Sequence, residues 1–284
     1  MKTLGVILTS FNNSATILRS IKSAVLIKEK KSNYRVRILV VDDASTDKTV
    51  ESIESSDFLD KIEKIKIFAQ NRGVSRSRNF GIHYFIKADY ITFLDADDEL
   101  TEELIDFEMQ NASNPNLILF DYRSISYFNE TTNIRNFVKS TRLTEQLLLE
   151  YLCKYALQPH RNRLFTMCWG KIFDVRILRS NGSIRFNEKL QIYEDLDFVL
   201  RFLRKSDTIF YVAKSAYVYH VPDLNPSKSN LCFCDIGGKF GLEISKEGNE
   251  AAVDFALNEL INIYGSKIKK DLVSSHFADW SSNV

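Results

Sequence analysis

The sequence VRILVVDD at residues 36–43 is a run of apolar, mainly β-branched residues that ends abruptly in two carboxylates. The same pattern returns as YITFLDAD at residues 90–97, and residues 4–9 form another short apolar run. Strands without polar alternation are typical of parallel sheets that helices cover on both faces. The sequence therefore predicts an α/β fold with a doubly wound, mainly parallel sheet.

Apolar residues at helical spacing separate these strands and continue beyond them. Further strands are predicted at residues 65–68, 117–122 and 209–212. Helices are predicted at residues 17–25, 45–53, 74–85, 144–157, 194–203 and 251–264, whereas residues 127–135 are polar and turn-like. Strand and helix alternate regularly up to residue 122, and the pattern loosens afterwards.

The composition excludes several classes of protein. The chain has 284 residues, and 38 Lys and Arg against 37 Asp and Glu give a formal net charge of +1. Nucleic-acid-binding domains are usually markedly basic, so we expect no nucleic-acid partner. No apolar run approaches the roughly 20 residues of a membrane-spanning helix, and we expect no signal peptide. The cysteines are expected to be free thiols in a cytoplasmic protein: Cys153, Cys168, Cys232 and Cys234.

Polar clusters follow three of the predicted strands directly, at residues 9–12, 42–45 and 95–98. In open parallel sheets, ligands bind outside the carboxyl ends of the strands. One such cluster is explained by a turn with capping residues, but three at one edge of one sheet predict a binding site. The glycine-rich motifs of dinucleotide-binding enzymes and P-loop NTPases are missing, as is the Gly-x-Ser-x-Gly turn of hydrolases.

These clusters resemble, in their order, the motifs of the family 2 glycosyltransferases of the GT-A fold. The resemblance also includes Asn71-Arg72-Gly73, Arg78-Asn79 and Glu194-Asp195, and it extends over residues 1–220. It implies an inverting enzyme that transfers a single sugar from a UDP-sugar to a hydroxyl of a glycan or lipid-linked saccharide. The processive synthases of the family carry Gln-x-x-Arg-Trp and membrane helices, and the sequence lacks both.

Asp95 and Asp97 lie at the end of a buried strand, in a loop that can present both carboxylates to one ligand. Carboxylates repel a diphosphate unless a divalent cation lies between them, and hard oxygen ligands suit Mn²⁺ or Mg²⁺. The alternative is a strand-end turn with helix-capping acids. The resemblance implies that Asp95 lies near the ribose and that Asp97 coordinates the metal, with His220 as a further candidate ligand.

Phe11 and Asp43 suggest a nucleobase pocket, because an aromatic ring stacks on a base and a carboxylate accepts a base N–H. The alternative for Phe11 is packing in the core. Arg78, at the start of a predicted helix, favours an anion such as the diphosphate, and its alternative is a solvated basic helix face. The nucleotide-sugar contacts implied by the resemblance are Thr9, Phe11, Asn12, Asp43, Arg78, Asp95, Ala96 and Asp97.

Glu194 and Asp195 open a predicted helix near the end of the resemblance. An acceptor hydroxyl loses its proton as it attacks the sugar, and a positioned carboxylate can take that proton. The resemblance implies that Asp195 is this general base and that Glu194 lies on the acceptor side. The alternative is a surface helix whose dipole is stabilised by acids. Trp169 is interpreted either as a platform for the acceptor sugar or as a core residue.

We predict a catalytic domain at residues 1–222, with a nucleotide-sugar-binding half at 1–122 and an acceptor-binding half at 123–222. Residues 223–284 form a small, partly helical extension, which packs on the catalytic domain, contacts a lipid-linked acceptor at the inner face of the cell membrane, or mediates oligomerisation. Two other functions remain open: a nucleotidyltransferase that makes sugar nucleotides, and a non-catalytic module that binds them.

Overall fold

A computed structural model describes residues 1–30, 32–106, 114–126, 128, 130–148, 150–151, 164–180, 183–190 and 193–221. The chain divides into two compact units, Met1–Thr144 with Leu164–Cys232, and Glu145–Arg163 with Phe233–Val284. The helix predicted at residues 251–264 lies outside the described residues. Of the helix predicted at 144–157, residues 145–148 and 150–151 are described, and they are helical.

The elements are as follows. The described strands are β1 (Lys2–Ser10), β2 (Tyr34–Asp42), β3 (Lys64–Ile67), β4 (Tyr90–Asp95), β5 (Glu99–Leu100), β6 (Leu117–Ile125), β7 (Thr131–Ile134), β8 (Thr141–Leu143), β9 (Lys171–Asp174) and β10 (Ile209–His220). Besides the helical residues 145–148 and 150–151, the described α-helices are α1 (Ile17–Glu29), α2 (Thr49–Glu54), α3 (Val74–Tyr84), α4 (Val175–Arg179) and α5 (Glu194–Arg204).

The strands of the first unit form one twisted sheet in the order β3-β2-β1-β4-β9-β6-β10-β5. The first four strands in this order are parallel, and helices α1, α2 and α3 connect strands along the chain. This arrangement confirms the doubly wound architecture that the apolar runs predict. It also places the carboxyl ends of β2, β1 and β4 side by side.

Helices cover both faces of the parallel strands, and β1 shows why. Its residues Val6 and Leu8 are completely buried in a cluster that includes Ile21 and Ala24 of α1. The residue between them, Ile7, points to the opposite face, where it meets α3. Because successive side chains of a strand point to opposite faces, a strand covered on both sides must be apolar at every position.

Two glycines allow α3 to approach β1 closely. A Cβ atom on Gly5 would lie 2.5 Å from the ring of Phe85, and one on Gly81 would collide with the side chain of Ile7. Both contacts are with completely buried side chains, which have no free volume to move into. The contact of α3 with β1 therefore requires the absence of a side chain at both positions.

We expect Gly5→Ala to destabilise the fold by about 1–3 kcal/mol, because the added methyl group overpacks the core against Phe85. Urea unfolding followed by circular dichroism measures this change as a lower midpoint. Lys87→Ala, at an exposed position beyond the end of α3, is the control and should unfold as the wild type does. An unchanged midpoint for Gly5→Ala would show that the Phe85 ring can move aside.

The second half of the sheet is mixed rather than parallel. Strand β9 is antiparallel to its neighbours β4 and β6, while β6 and β10 are parallel to each other. The short strands β5 and β8 pair antiparallel with β10, and β7 pairs antiparallel with β6. The prediction of a turn-like segment at residues 127–135 is corrected here, since Thr131–Ile134 is a strand whose polar side chains lie at the surface. None of the described helices is long and apolar enough to cross a membrane.

Candidate active site

The predicted polar clusters meet at one edge of the sheet, as expected from parallel strands. Thr9 lies opposite Asp95 in the β1–β4 pairing, and Ser10 lies opposite Asp42 in the β1–β2 pairing. The last residue of β4 is Asp95, so Ala96 and Asp97 begin the loop that leaves this edge. The strand order thus brings together residues that are more than 80 positions apart in the sequence.

Asp42 holds the loop after β2 in place. Its carboxylate is completely buried and accepts hydrogen bonds from the Ser45 backbone N–H, at 2.8 Å, and from the Ser10 hydroxyl, at 3.0 Å. The side-chain oxygen of Asn12 accepts from the Thr46 backbone N–H at 2.8 Å, which joins the loop after β1 to the same segment. Asn12 therefore shapes the loops at this edge, and its contact with a nucleotide stays a prediction.

Asp43 connects the loop after β2 to the segment before α3. Its carboxylate accepts from the backbone N–H groups of Gly73, at 2.7 Å, and Arg72, at 3.1 Å. Gly73 has φ of 91°, a left-handed conformation that favours glycine. The buried carboxylate of Asp43 thus holds the segment before α3 against the loop after β2, and its contact with uracil stays a prediction.

Phe11 is 44% exposed at the same edge, so the alternative interpretation of a core aromatic is not supported. An exposed aromatic ring beside a loop held by Asn12 and Asp42 is suited to stacking on a flat ligand. Thr9, by contrast, is buried at the end of β1.

Arg78 is the electrostatic centre of the site. Its guanidinium donates to Asp195 Oδ1 at 2.6 Å and to Asp95 Oδ1 at 3.0 Å, and it lies 3.5 Å from Glu194 Oε1. The residue is only 4% exposed, and its guanidinium lies over the ring of Phe186 at 5.3 Å. The interpretation as a solvated basic helix face is therefore wrong for Arg78. Its terminal nitrogens contact carboxylates here, and a contact with the diphosphate stays a prediction.

Asp195 lies in the first turn of α5, and it is 8% exposed. One carboxylate oxygen faces Arg78, and the other accepts from the Cys168 backbone N–H at 3.1 Å. The surface-helix interpretation of the two acids is therefore not supported. Burial, together with the charge of Asp195, raises the pKa of the neighbouring Glu194 to about 7.

The residues proposed to bind a metal lie at the end of β4 and the end of β10. Burial, and then repulsion by Asp95, raise the pKa of Asp97. Asp98, which the sequence suggested only as a helix-capping acid, is buried and accepts from the Tyr217 hydroxyl and the His220 backbone N–H, both at 2.8 Å. Asp98 thereby ties the end of β10 to the loop after β4.

The ring of His220 is directed at another side chain, since its Nε2 lies 2.7 Å from Glu99 Oε1. Within the described residues, no group of three or more His, Cys, Asp or Glu side chains is already arranged to hold a metal ion. Asp95 and Asp97 nevertheless fit a divalent cation chemically, because they are partly buried carboxylates whose charges repel each other. His220 as a metal ligand stays a prediction.

Trp169 is only 6% exposed and stacks on Tyr217 with ring centroids 4.4 Å apart. A sugar platform needs an exposed ring face, so this geometry favours the second interpretation, core packing. The neighbouring Lys171 is also buried, and the sequence offered no signal that would have distinguished it from an exposed lysine.

An open α/β sheet with acidic and aromatic side chains at the carboxyl ends of adjacent strands has the architecture of a nucleotide-binding enzyme. The chain matches the model of the family described as Glycosyl transferase family 2 over residues 5–176. It therefore belongs to this family, which confirms the resemblance noted in the sequence.

Relatives of known name support this assignment. The chain is 26% identical, over 98% of its length, to a teichoic acid poly(glycerol phosphate) polymerase of Staphylococcus epidermidis and covers 37% of that protein. It is 25% identical, over 78% of its length, to the poly(ribitol-phosphate) β-N-acetylglucosaminyltransferase TarP of Staphylococcus aureus and covers 63% of it. The chain thus spans between about a third and two thirds of the length of these relatives.

The fold is also similar to that of a solved structure. The crystal structure of S. aureus TarS 1-349 in complex with UDP-GlcNAc matches with a TM-score of 0.63 and 16% identity, covering 95% of this chain and 77% of that one. This similarity confirms the predicted GT-A type of α/β fold.

Proposed function

We propose that the chain transfers a single sugar from a UDP-sugar to an acceptor hydroxyl, with inversion at the anomeric carbon. The observation that carries this proposal is the bridge of Arg78 between Asp95, at the nucleotide end of the site, and Asp195, at the start of α5. Arg78 therefore contacts both the strand end that we propose binds the nucleotide and the carboxylate that we propose accepts the proton.

The proton acceptor in this proposal is Asp195. When the acceptor hydroxyl attacks, its proton must leave, and a carboxylate held in a fixed orientation takes it more efficiently than water does. The hydrogen bonds from Arg78 and the Cys168 N–H hold Asp195 in one orientation. Glu194, next to it, is proposed to face the acceptor.

A divalent cation, Mn²⁺ or Mg²⁺, would be held by Asp97 with Asp95 and would neutralise the diphosphate leaving group. The residues of this chain orient the donor around it. Asp95 is fixed by Arg78, and Asp97 lies in the loop that Asp98 ties to β10. Family membership supports this proposal, because family 2 enzymes often use divalent metals.

The donor and acceptor classes are proposed from the relatives. TarS has been crystallised with UDP and with UDP-GlcNAc, and TarP is named for transfer of N-acetylglucosamine to poly(ribitol phosphate). We therefore propose a UDP-linked hexose or N-acetylhexosamine as donor, and a glycan, lipid-linked saccharide or polyol-phosphate polymer of the cell surface as acceptor. A cytoplasmic location, and any attachment of residues 223–284 to the membrane, stay predictions.

The function is tested by release of UDP from a panel of UDP-sugars, including UDP-GlcNAc, with Mn²⁺ and with poly(ribitol phosphate) or poly(glycerol phosphate) as acceptor. Acceptor-stimulated UDP release supports a transferase. Binding of a UDP-sugar without UDP release, with or without acceptor, would instead favour the non-catalytic module, and formation of UDP-sugar and diphosphate from UTP and a sugar 1-phosphate would favour a nucleotidyltransferase.

We expect Phe11→Ala to lower the affinity for UDP by about 1–3 kcal/mol, the usual contribution of one aromatic–base stack. Because Phe11 is 44% exposed, the variant should unfold at the wild-type temperature. Calorimetric titration with UDP measures the change. The control is Leu59→Ala, which changes an exposed apolar residue in the turn between α2 and β3. Unaltered UDP binding by Phe11→Ala would show that the uracil ring binds elsewhere.

A further inference from the structure

Residues 184–188, which we call the 184–188 segment, have no regular secondary structure and are hydrogen-bonded to two helices of the site. The Arg185 carbonyl oxygen accepts from the Arg201 guanidinium of α5 at 2.6 Å. The next residue, Phe186, is bound by the side chain of Asn79 on α3. The segment therefore joins the helix that carries the proposed base to the helix that contacts it.

Asn79 holds the backbone of Phe186 with both ends of its side-chain amide. Its Nδ2 donates to the Phe186 carbonyl oxygen at 2.9 Å, and its Oδ1 accepts from the Phe186 backbone N–H at 2.8 Å. Phe186 is buried, so its backbone groups need partners within the protein. Nδ2 also donates to Oε1 of the exposed Glu188 at 2.9 Å. Asn79 is thus the hydrogen-bonding partner of the segment on α3.

The ring of Phe186 contacts all three elements that Arg78 connects. The Arg78 guanidinium of α3 lies 5.3 Å from the ring centroid. Phe93, in β4, meets the ring edge-on with the centroids 5.3 Å apart. Phe198, on α5 three residues after Asp195, stacks on the ring with the centroids 4.1 Å apart. Because buried side chains are close-packed, the position of this ring limits where Arg78 and Asp195 can lie relative to each other.

Asn79 is an unfavourable choice for its own helix. It lies in the middle of α3, where the short polar side chain of Asn competes for backbone hydrogen bonds and lowers helix propensity. The side chain is instead used for the bonds to Phe186, which an alanine or leucine could not make. A residue that opposes its local structure and is bonded to a segment packed under the site indicates a role in that site.

We propose that Asn79 is a positioning residue for the base Asp195. It holds the backbone of Phe186, whose ring packs against Arg78, and Arg78 in turn holds the carboxylate. This inference rests on the proposed role of Asp195. The position of Asp95 depends less on Asn79, because β4 pairs with β1 up to this residue. Loss of the Asn79 amide should therefore affect the transfer step more than the binding of UDP.

The test compares Asn79→Ala with the wild type at saturating UDP-GlcNAc, poly(ribitol phosphate) and Mn²⁺. Rates are expressed per UDP-binding site, counted by calorimetry, so that a fraction of unfolded protein does not lower them. We expect kcat to fall by roughly 10–10²-fold, because a displacement of about 1 Å in a catalytic group can cost this factor. The affinity for UDP should stay within about threefold of the wild-type value.

Two exposed residues provide matched controls. Glu188→Ala removes the outer hydrogen bond of Asn79 and leaves the pair with Phe186 intact. His83→Ala changes a residue one turn further along α3. Both variants should transfer sugar at the wild-type rate. A loss of kcat in Glu188→Ala as large as that in Asn79→Ala would overturn the inference, because the bonds to Phe186 would not be the cause.

Combination with Asp195→Asn separates an effect on the base from a structural effect. The residual transfer of Asp195→Asn is measured with a radiolabelled donor, with and without Asn79→Ala. If Asn79 acts through Asp195, the second substitution should lower this residual rate by no more than about twofold. Equal fold losses in the two backgrounds would overturn the inference. So would an unchanged kcat in folded Asn79→Ala, or a loss of UDP affinity as large as the loss of kcat.

The outcomes also distinguish this inference from the proposed function. A normal rate in Asn79→Ala with an impaired Asp195→Asn would overturn the role of Asn79 and leave the base assignment intact. A near-normal rate in Asp195→Asn would contradict the base assignment, and the role of Asn79 would fail with it. If Asn79→Ala does not fold, Asn79→Asp, which keeps the acceptor for the Phe186 N–H, is measured in its place. Failure of both variants to fold would show a purely structural residue and overturn the inference.

Discussion

Asp195→Asn is expected to reduce the rate of sugar transfer by roughly 10²–10⁴-fold, the usual contribution of general base catalysis. The amide has the shape of the carboxylate and can still accept from Arg78 or the Cys168 N–H, but it cannot take the acceptor proton. UDP and metal binding should therefore remain near the wild-type values. Acceptor-stimulated UDP release gives the rate, and calorimetry gives the affinity.

The same turn of α5 offers a matched control. Asp197 is also buried, but its carboxylate pairs with Arg201, with Oδ1 3.0 Å from Nε. Asp197→Asn should lower stability without a comparable loss of transfer. If Asp195→Asn transfers sugar at nearly the normal rate, the base lies elsewhere. Glu194 is then the next candidate, since burial raises its pKa to about 7.

Asp97→Ala is expected to abolish the cation dependence of UDP binding. If Asp95 and Asp97 hold the cation as proposed, their charges would repel the diphosphate in its absence, and the cation would convert this repulsion into attraction. Loss of the Asp97 carboxylate as a metal ligand should lower the affinity for UDP at fixed Mn²⁺ by about tenfold or more. Calorimetric titration of UDP with and without Mn²⁺ measures both the affinity and its dependence on the cation.

An exposed acid serves as the control for this experiment. The Asp106 side chain is 63% exposed and pairs with Lys30. The variant Asp106→Ala should therefore bind UDP with wild-type affinity. His220→Ala shows whether the ring that faces Glu99 also contributes to metal affinity. Wild-type UDP affinity in Asp97→Ala at equal Mn²⁺ would contradict the metal assignment.

The parallel half of the sheet was predictable because its signal is local. In β2 and β4, nearly every residue of the core-forming run is apolar, and the acids that follow mark where each strand ends. Strands β5, β7, β8 and β9 have two to four residues each. Such short strands exist because a neighbour pairs with them, and this pairing cannot be read from their own sequence.

The residues of the candidate site that lie at the ends of the parallel strands were predictable for the same reason. Strand ends that meet at one edge bring Thr9, Asp42 and Asp95 together once the sheet is known. The partners of Arg78 were not predictable. Asp195 lies 117 residues away in the sequence, and its contact with Arg78 depends on how the mixed half of the sheet folds. The burial of Trp169 was not predictable either, because nothing in the sequence shows that Tyr217 stacks on its ring.

The anomeric configuration of the product tests the central claim most directly. An α-linked UDP-sugar, UDP-GlcNAc, is incubated with the chain, Mn²⁺ and poly(ribitol phosphate), and the linkage formed is read by proton NMR. A single in-line displacement assisted by Asp195 predicts a β-linked product, because one attack inverts the anomeric carbon. An α-linked product would contradict a single displacement and, with it, the assignment of Asp195 as the base of an inverting glycosyltransferase.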